Sequence, residues 1–176
     1  MTAMFAVAPA EGRSDHAAPR SSARPTTEPG FALDRRIRSE SVVWLTTVSA
    51  DGRPHVVPVW FDWDGESFLV FTKPEAKKVR NLRSNAAVML ALGEPRADFD
   101  VVLIEAEAEI LDAPTSALAP MAYFDRYATW MAAIGLSRGE FVATYSRALR
   151  IRPTRFLGWA GRTHLGTRQG QAQAAI

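Results

Sequence analysis

Apolar and polar positions alternate with a period of two through much of this chain, and that period predicts strands. Val42–Val48 is β-branched and aromatic, the composition of a strand. Asp51-Gly52 follows it, a pair that favours a tight hairpin, and Pro54–Trp63 reads as the return strand. Pro58 lies inside that run. Proline cannot donate to a ladder, so it marks an edge, a bulge or a place where pairing opens. Asp64-Gly65 predicts a second turn and Ser67–Phe71 a third strand. Ala86–Leu92 is a fourth strand, followed by a polar loop over Gly93–Asp100. In Val101–Leu111, Glu105, Glu107 and Glu109 alternate with Ile104, Ala106, Ala108 and Ile110, which gives one wet face and one buried face. Ala148–Phe156 is the last strand, interrupted by Pro153.

Elsewhere the period changes to that of a helix. Leu33 and Ile37 are four apart in Phe31–Arg38, a short amphipathic helix that would cover one end of the core. A second short helix begins near Glu75. Pro114–Leu136 carries an apolar stripe of Leu118, Met121, Phe124, Tyr127 and Met131. Arg138–Thr144 follows a capping-box pair, Ser137 with Glu140 three residues on. Hairpins dominate and no βαβ rhythm repeats. The pattern predicts an α+β, mostly β fold: an antiparallel barrel with peripheral helices. No G-x-G-x-x-G occurs, so a Rossmann dinucleotide site has no support.

Composition changes this picture at the ends. The chain has 176 residues, which suits one domain. Residues 1–29 are rich in Ala, Pro, Ser, Thr and Arg and read as a disordered tail with no apolar core of a secretory leader. The folded cofactor-binding domain is expected over 30–166 and a flexible tail over 167–176. No apolar run approaches the roughly 20 residues of a membrane helix. Net charge is only +2, so the total demands no nucleic acid. The chain has no cysteine, which excludes disulfides, thiol catalysis and cysteine-ligated metals and is compatible with a cytoplasmic setting. His16, His55 and His164 show no metal-ligand spacing, so no metal site is expected.

The chemistry concentrates where the third strand meets the second helix. Lys73, Lys77 and Lys78 crowd that junction. Lysine is electrostatically misplaced at a helix start unless an anion sits there, and phosphate suits such a place. Asn81 adds a side chain that both donates and accepts. A second group is Val57-Pro58-Val59-Trp60, where the broken ladder leaves backbone groups for a flat ring. Trp60 and Trp159 can stack on such a ring or pack in the core. The glutamates of Val101–Leu111 need no role beyond a solvated strand face.

These segments resemble the pyridoxamine 5′-phosphate oxidase-like split β-barrel superfamily. The resemblance rests on Val42–Val48, Asp51-Gly52-Arg53-Pro54, Pro58-Val59-Trp60-Phe61 and Lys77-Lys78-Val79-Arg80-Asn81-Leu82. Together with Arg152–Trp159 they are most similar to its flavin/deazaflavin oxidoreductase branch that uses coenzyme F420. The resemblance implies an FMN-binding-like split barrel that forms a homodimer, with cofactor in a groove between subunits. It implies that Lys78 and Asn81 match the phosphate-side pair and that Thr72 and Lys73 match the adjoining loop. Ala76 stands where many relatives carry arginine, a place that Lys77 or Lys73 would fill. Val57, Pro58, Val59 and Trp60 match the strand beside the ring. The implied activity is F420-dependent hydride transfer to or from a small unsaturated or quinone-like molecule. The alternatives are an FMN-dependent oxidase or reductase, and a non-catalytic carrier of cofactor or haem.

Overall fold

The computed structural model describes residues 28–93 and 101–159. Residues 1–27, 94–100 and 160–176 lie outside the described residues; they take in most of the expected tail 1–29, the polar loop after Gly93, the end of the expected domain and the whole of the expected tail 167–176. The elements run α1 (Glu28–Ser39), β1 (Val43–Val48), β2 (Pro54–Val59), β3 (Asp62–Trp63), β4 (Phe68–Thr72), α2 (Lys77–Leu82) and β5 (Ala87–Leu92). Then come β6 (Val101–Leu111), α3 (Thr115–Leu118), α4 (Met121–Ala133), α5 (Arg138–Thr144) and β7 (Arg147–Trp159).

All strands join one antiparallel sheet in the order β2-β1-β5-β6-β7-β4-β3. Its two edges, β2 and β3, are consecutive in sequence and separated only by Trp60 and Phe61. The chain itself therefore bridges the gap of a curled sheet, which is the split-barrel form that the sequence implied.

The alternating pattern sets the inside of this sheet. Leu45, Leu90 and Ile104 lie side by side in the register and are fully buried. Val43, Val70, Leu149 and Ile151 add to the same core. On the opposite face, Glu105 lies across from Arg155 and Glu107 across from Arg152. Arg152 pairs with Glu109 at 2.9 Å and Arg155 with Glu105 at 3.7 Å, so the carboxylates serve a cross-strand charge ladder. Trp44, Val56 and Pro58 occupy adjoining register positions on that outer face, and all three are exposed.

Both expected hairpin turns form, with Gly52 at φ 81° and Gly65 at φ 98°, a region open to glycine. Pro58 sits on an edge strand. Pro153 accompanies a bulge rather than a break. The register slips by one between Glu105 and Ala106, and the Thr154 hydroxyl donates to the Glu105 carbonyl at 3.0 Å.

Three boundaries differ from expectation. The return strand splits into β2 and β3 because Phe61 turns into the core and its N–H leaves the ladder for the Tyr127 hydroxyl, at 3.1 Å. The long helix splits into α3 and α4 because Pro120 has no N–H to continue the first and starts the second. The first helix begins at Glu28, inside the expected tail, and α2 begins at Lys77 rather than near Glu75.

Two cores result. Ile37 of α1, α2 and the inner sheet face form the barrel core. Phe71, Tyr123, Phe124, Tyr127, Met131 and Phe141 form a second core between the helices and the β4 side. Its rings meet edge-on or tilted, as with Phe71 and Tyr123 at 5.0 Å and 88°. The α1 helix is strapped down by polar contacts: Asp34 pairs with Arg38 at 2.8 Å and accepts the Trp63 indole N–H at 2.7 Å.

Candidate functional site

A cleft of about 190 Å³ opens where the two cores meet. One wall is β2, β4 and α2, through Pro58, Val59, Trp60, Thr72 and Lys78. The other is helical, through Tyr123, Ile134, Leu136, Phe141 and Tyr145. The fold thus brings five of the expected residues, Pro58, Val59, Trp60, Thr72 and Lys78, to one place.

Lys78 supplies the cleft's charge. It lies in the first turn of α2 and its Nζ donates to Thr72 Oγ1 at 3.2 Å. Thr72 is 4% exposed. Burial pushes the Lys78 ammonium below the usual lysine range. No carboxylate pairs with it among the described residues. A half-buried cation with a hydroxyl partner and no counter-ion is poised for an anion from outside.

Trp60 supplies the aromatic surface. Its ring is stacked on Tyr127, with centroids 4.7 Å apart and planes 2° apart. It also lies parallel to Phe141 at 6.2 Å. Trp60 therefore packs against the second core and also lines the cleft. Burial raises the Tyr123 and Tyr127 phenols, so both stay neutral hydrogen-bonding groups. The Tyr127 hydroxyl is satisfied by Phe61 and by the Ser41 carbonyl at 2.9 Å.

The remaining expected residues fall elsewhere. Lys73 and Lys77 are exposed outside the cleft lining. Asn81 is 5% exposed and its amide donates to Thr47 Oγ1 at 2.9 Å, joining α2 to β1. Val57 packs against the barrel core. Trp159 ends β7 opposite Val101, and its side chain lies outside the described residues. His55 sits two residues before Val57 on β2, opposite Thr47. Burial first, then Lys77 and Lys78, lower its pKa, so the imidazole is held neutral.

Sequence reasoning pointed to the helices after Pro114 as shaping the pocket but named none of the residues of this wall. Tyr123, Phe141 and Tyr145 belong to helices or their ends whose apolar stripe reads as core. Ile134 and Leu136 flank Gly135, at φ 66°, in the turn between α4 and α5. The aromatic density of the helical segment was the available signal. Among the described residues, no group of three or more His, Asp or Glu could hold a metal ion, and no helix is long and apolar enough to cross a membrane.

Comparison with known proteins agrees with this fold. A solved F420 reductase is 28% identical, with a TM-score of 0.56, over 70% of this chain and 94% of that one. An FAD-binding protein from Mesorhizobium loti is 19% identical, with a TM-score of 0.54, over 72% of this chain and 88% of its own. The haem storage protein of Vibrio cholerae is 18% identical, with a TM-score of 0.52, over 76% of this chain and 96% of its own. The last two likenesses are of fold. No curated protein matches the sequence. The model of the pyridoxamine 5′-phosphate oxidase family matches residues 32–160, most of the chain and all of the sheet, and the protein belongs to that family.

Proposed function

We propose that the protein is an F420-dependent oxidoreductase that moves a hydride between the deazaflavin and a small unsaturated or quinone-like molecule. The observation that carries this reading is Lys78, a half-buried ammonium without a counter-ion at the polar end of an aromatic cleft. A phosphate fits that ammonium and the Thr72 hydroxyl, and a charge-assisted bond there contributes about 1.5–3 kcal/mol. The 28% identical F420 reductase supports the deazaflavin over other phosphate-bearing rings. FMN would use the same Lys78 contact and is the runner-up. A haem carrier is less well supported, because no histidine among the described residues lines the cleft.

The bound cofactor would supply the hydride chemistry. The chain's residues bind, orient and exclude water. Lys78 and Thr72 would fix the phosphate end. The backbone at Pro58–Trp60, where the ladder stops, would face the ring. Tyr123, Ile134, Leu136 and Phe141 exclude water from the helical side. Among the described residues the lining holds no carboxylate or imidazole, so placement rather than acid–base work carries the rate in this reading.

The cleft of one protomer is smaller than the roughly 300–1,000 Å³ of most ligand sites. A two-fold homodimer would enlarge it. The exposed Trp44, Val56 and Pro58 form an apolar stripe that reaches the cleft through Pro58, a fitting seat for a second copy.

Fluorescence titration of the purified protein with F420 and with FMN tests the cofactor. The expected result is tighter binding of F420, weakened by Lys78→Met. Equal F420 affinity in wild type and variant would end the phosphate role. Turnover of reduced F420 with a panel of quinones and enones then separates an enzyme from a carrier.

A further inference from the structure

A larger groove, about 510 Å³, lies on the far side of the helical wall. Phe124, Ala128, Met131, Ala132 and Leu136 make it apolar. Leu136 also lines the cleft, so the two spaces meet at that residue. Gly135 gives the turn its left-handed backbone, which fixes Leu136 between them.

The groove has a charged rim. The Arg138 guanidinium lies over the Phe124 ring, 4.6 Å from its centroid, and its Nη1 meets Met121 Sδ at 2.7 Å. These contacts hold the group in place without neutralising it. No carboxylate pairs with Arg138 among the described residues. Sulfur is a weak acceptor, so the planar fork keeps donors for an oxygen ligand. Ser137 is occupied by its capping box with Glu140. Asp125, on the same rim, is exposed as Arg138 is, but has no such stacked support. Of the two rim charges, Arg138 is the preorganised one.

We infer that this groove binds an apolar chain ending in a carboxylate, with the chain along Ala128, Ala132 and Leu136 and the carboxylate on Arg138. The inference rests on the proposed function only in one respect: under that function, the bound molecule is the hydride acceptor or its apolar arm. Its reacting end would then lie past Leu136 in the cleft. The binding chemistry of the groove stands without the cofactor.

Decanoate is the probe, with decylamine as its oppositely charged counterpart, in calorimetric titrations of the full chain without cofactor. Wild type should bind decanoate at least tenfold more tightly than decylamine. Arg138→Gln should weaken decanoate at least tenfold and leave decylamine no weaker. Ala132→Trp, at an exposed helix position, should fill the groove and weaken both ligands. Absence of decanoate binding, a preference for decylamine, or decanoate affinity unchanged in Arg138→Gln would overturn the inference. A protein that binds decanoate in this manner but fails to bind F420 would lose the proposed function and keep the groove.

Discussion

The hydroxyl of Tyr127 stands where strand β2 ends, accepting the Phe61 N–H at 3.1 Å. The same oxygen lies 2.9 Å from the Phe61 carbonyl, so a side chain of α4 replaces the sheet partner that Phe61 lacks. Tyr127→Phe would leave that buried N–H unpaired, at a cost of about 1–3 kcal/mol. Chemical denaturation should show the loss. Unchanged stability would mean that water reaches the seam.

Lys78 leads to the opposite sign. The ammonium is partly buried without an anion, so the cofactor-free protein bears a desolvation penalty. Lys78→Met should melt no lower than wild type, and higher at neutral pH, while losing phosphate-dependent cofactor binding. The folded-state pKa lies below the usual 10.5. Cofactor affinity in wild type should therefore be full below that pKa and fall as alkaline pH deprotonates Lys78, earlier than for an ordinary lysine. An affinity flat up to pH 11, or a variant that melts several degrees lower, would count against this account.

Asp34 governs acid stability at the α1 strap. The hydrogen bond from Arg38 lowers its carboxyl most, burial opposes, and the Trp63 indole lowers it further. A carboxylate with a depressed folded pKa contributes stability that is present above its unfolded value, near 3.8, and is lost as pH falls through the folded pKa. The pair is partly exposed, so Asp34→Asn should cost only about 1 kcal/mol at neutral pH. The difference between variant and wild type should shrink as pH falls below the unfolded value and vanish once Asp34 is protonated in the folded state as well. A difference that persists there in urea melts would mean that packing, not charge, ties α1 down.

Assembly can be tested at Trp44. This ring is 48% exposed beside Val56 at 52%. Trp44→Glu should convert the expected dimer to a monomer in light scattering and weaken F420 binding together with it. A variant that stays dimeric would move the interface away from this stripe.

Much of the barrel was legible because its signals are local. Asp51-Gly52 and Asp64-Gly65 dictate turns through one dipeptide each, and Glu105, Glu107 and Glu109 declare a wet face by spacing alone. Lys78 and Thr72 were each legible as part of one strand–helix junction, although their hydrogen bond was not. What escaped depends on partners far along the chain. The break at Trp60 and Phe61 is stabilised by Tyr127, 66 residues away from Phe61. Asn81 could be read as a ligand residue until Thr47 took its amide. The residues of the cleft's helical wall escaped for the same reason: a stripe of aromatic residues has the same spacing whether it covers a core or lines a cavity. Only the split of the long helix had a local sign, Pro120, that the apolar stripe masked.

The sheet's two ends have a consequence for solubility. An open strand edge can recruit an edge from another molecule and start a polymer. Strand β3 is two residues long, too short to template a partner. Strand β2 carries Pro54 and Pro58, four residues apart and so on the same side of the strand, where neither can donate a hydrogen bond. The features that leave room for a ligand beside Trp60 therefore also deny a stray strand its ladder, and replacing Pro58 with a β-branched residue would trade that protection for a tendency to form aggregates.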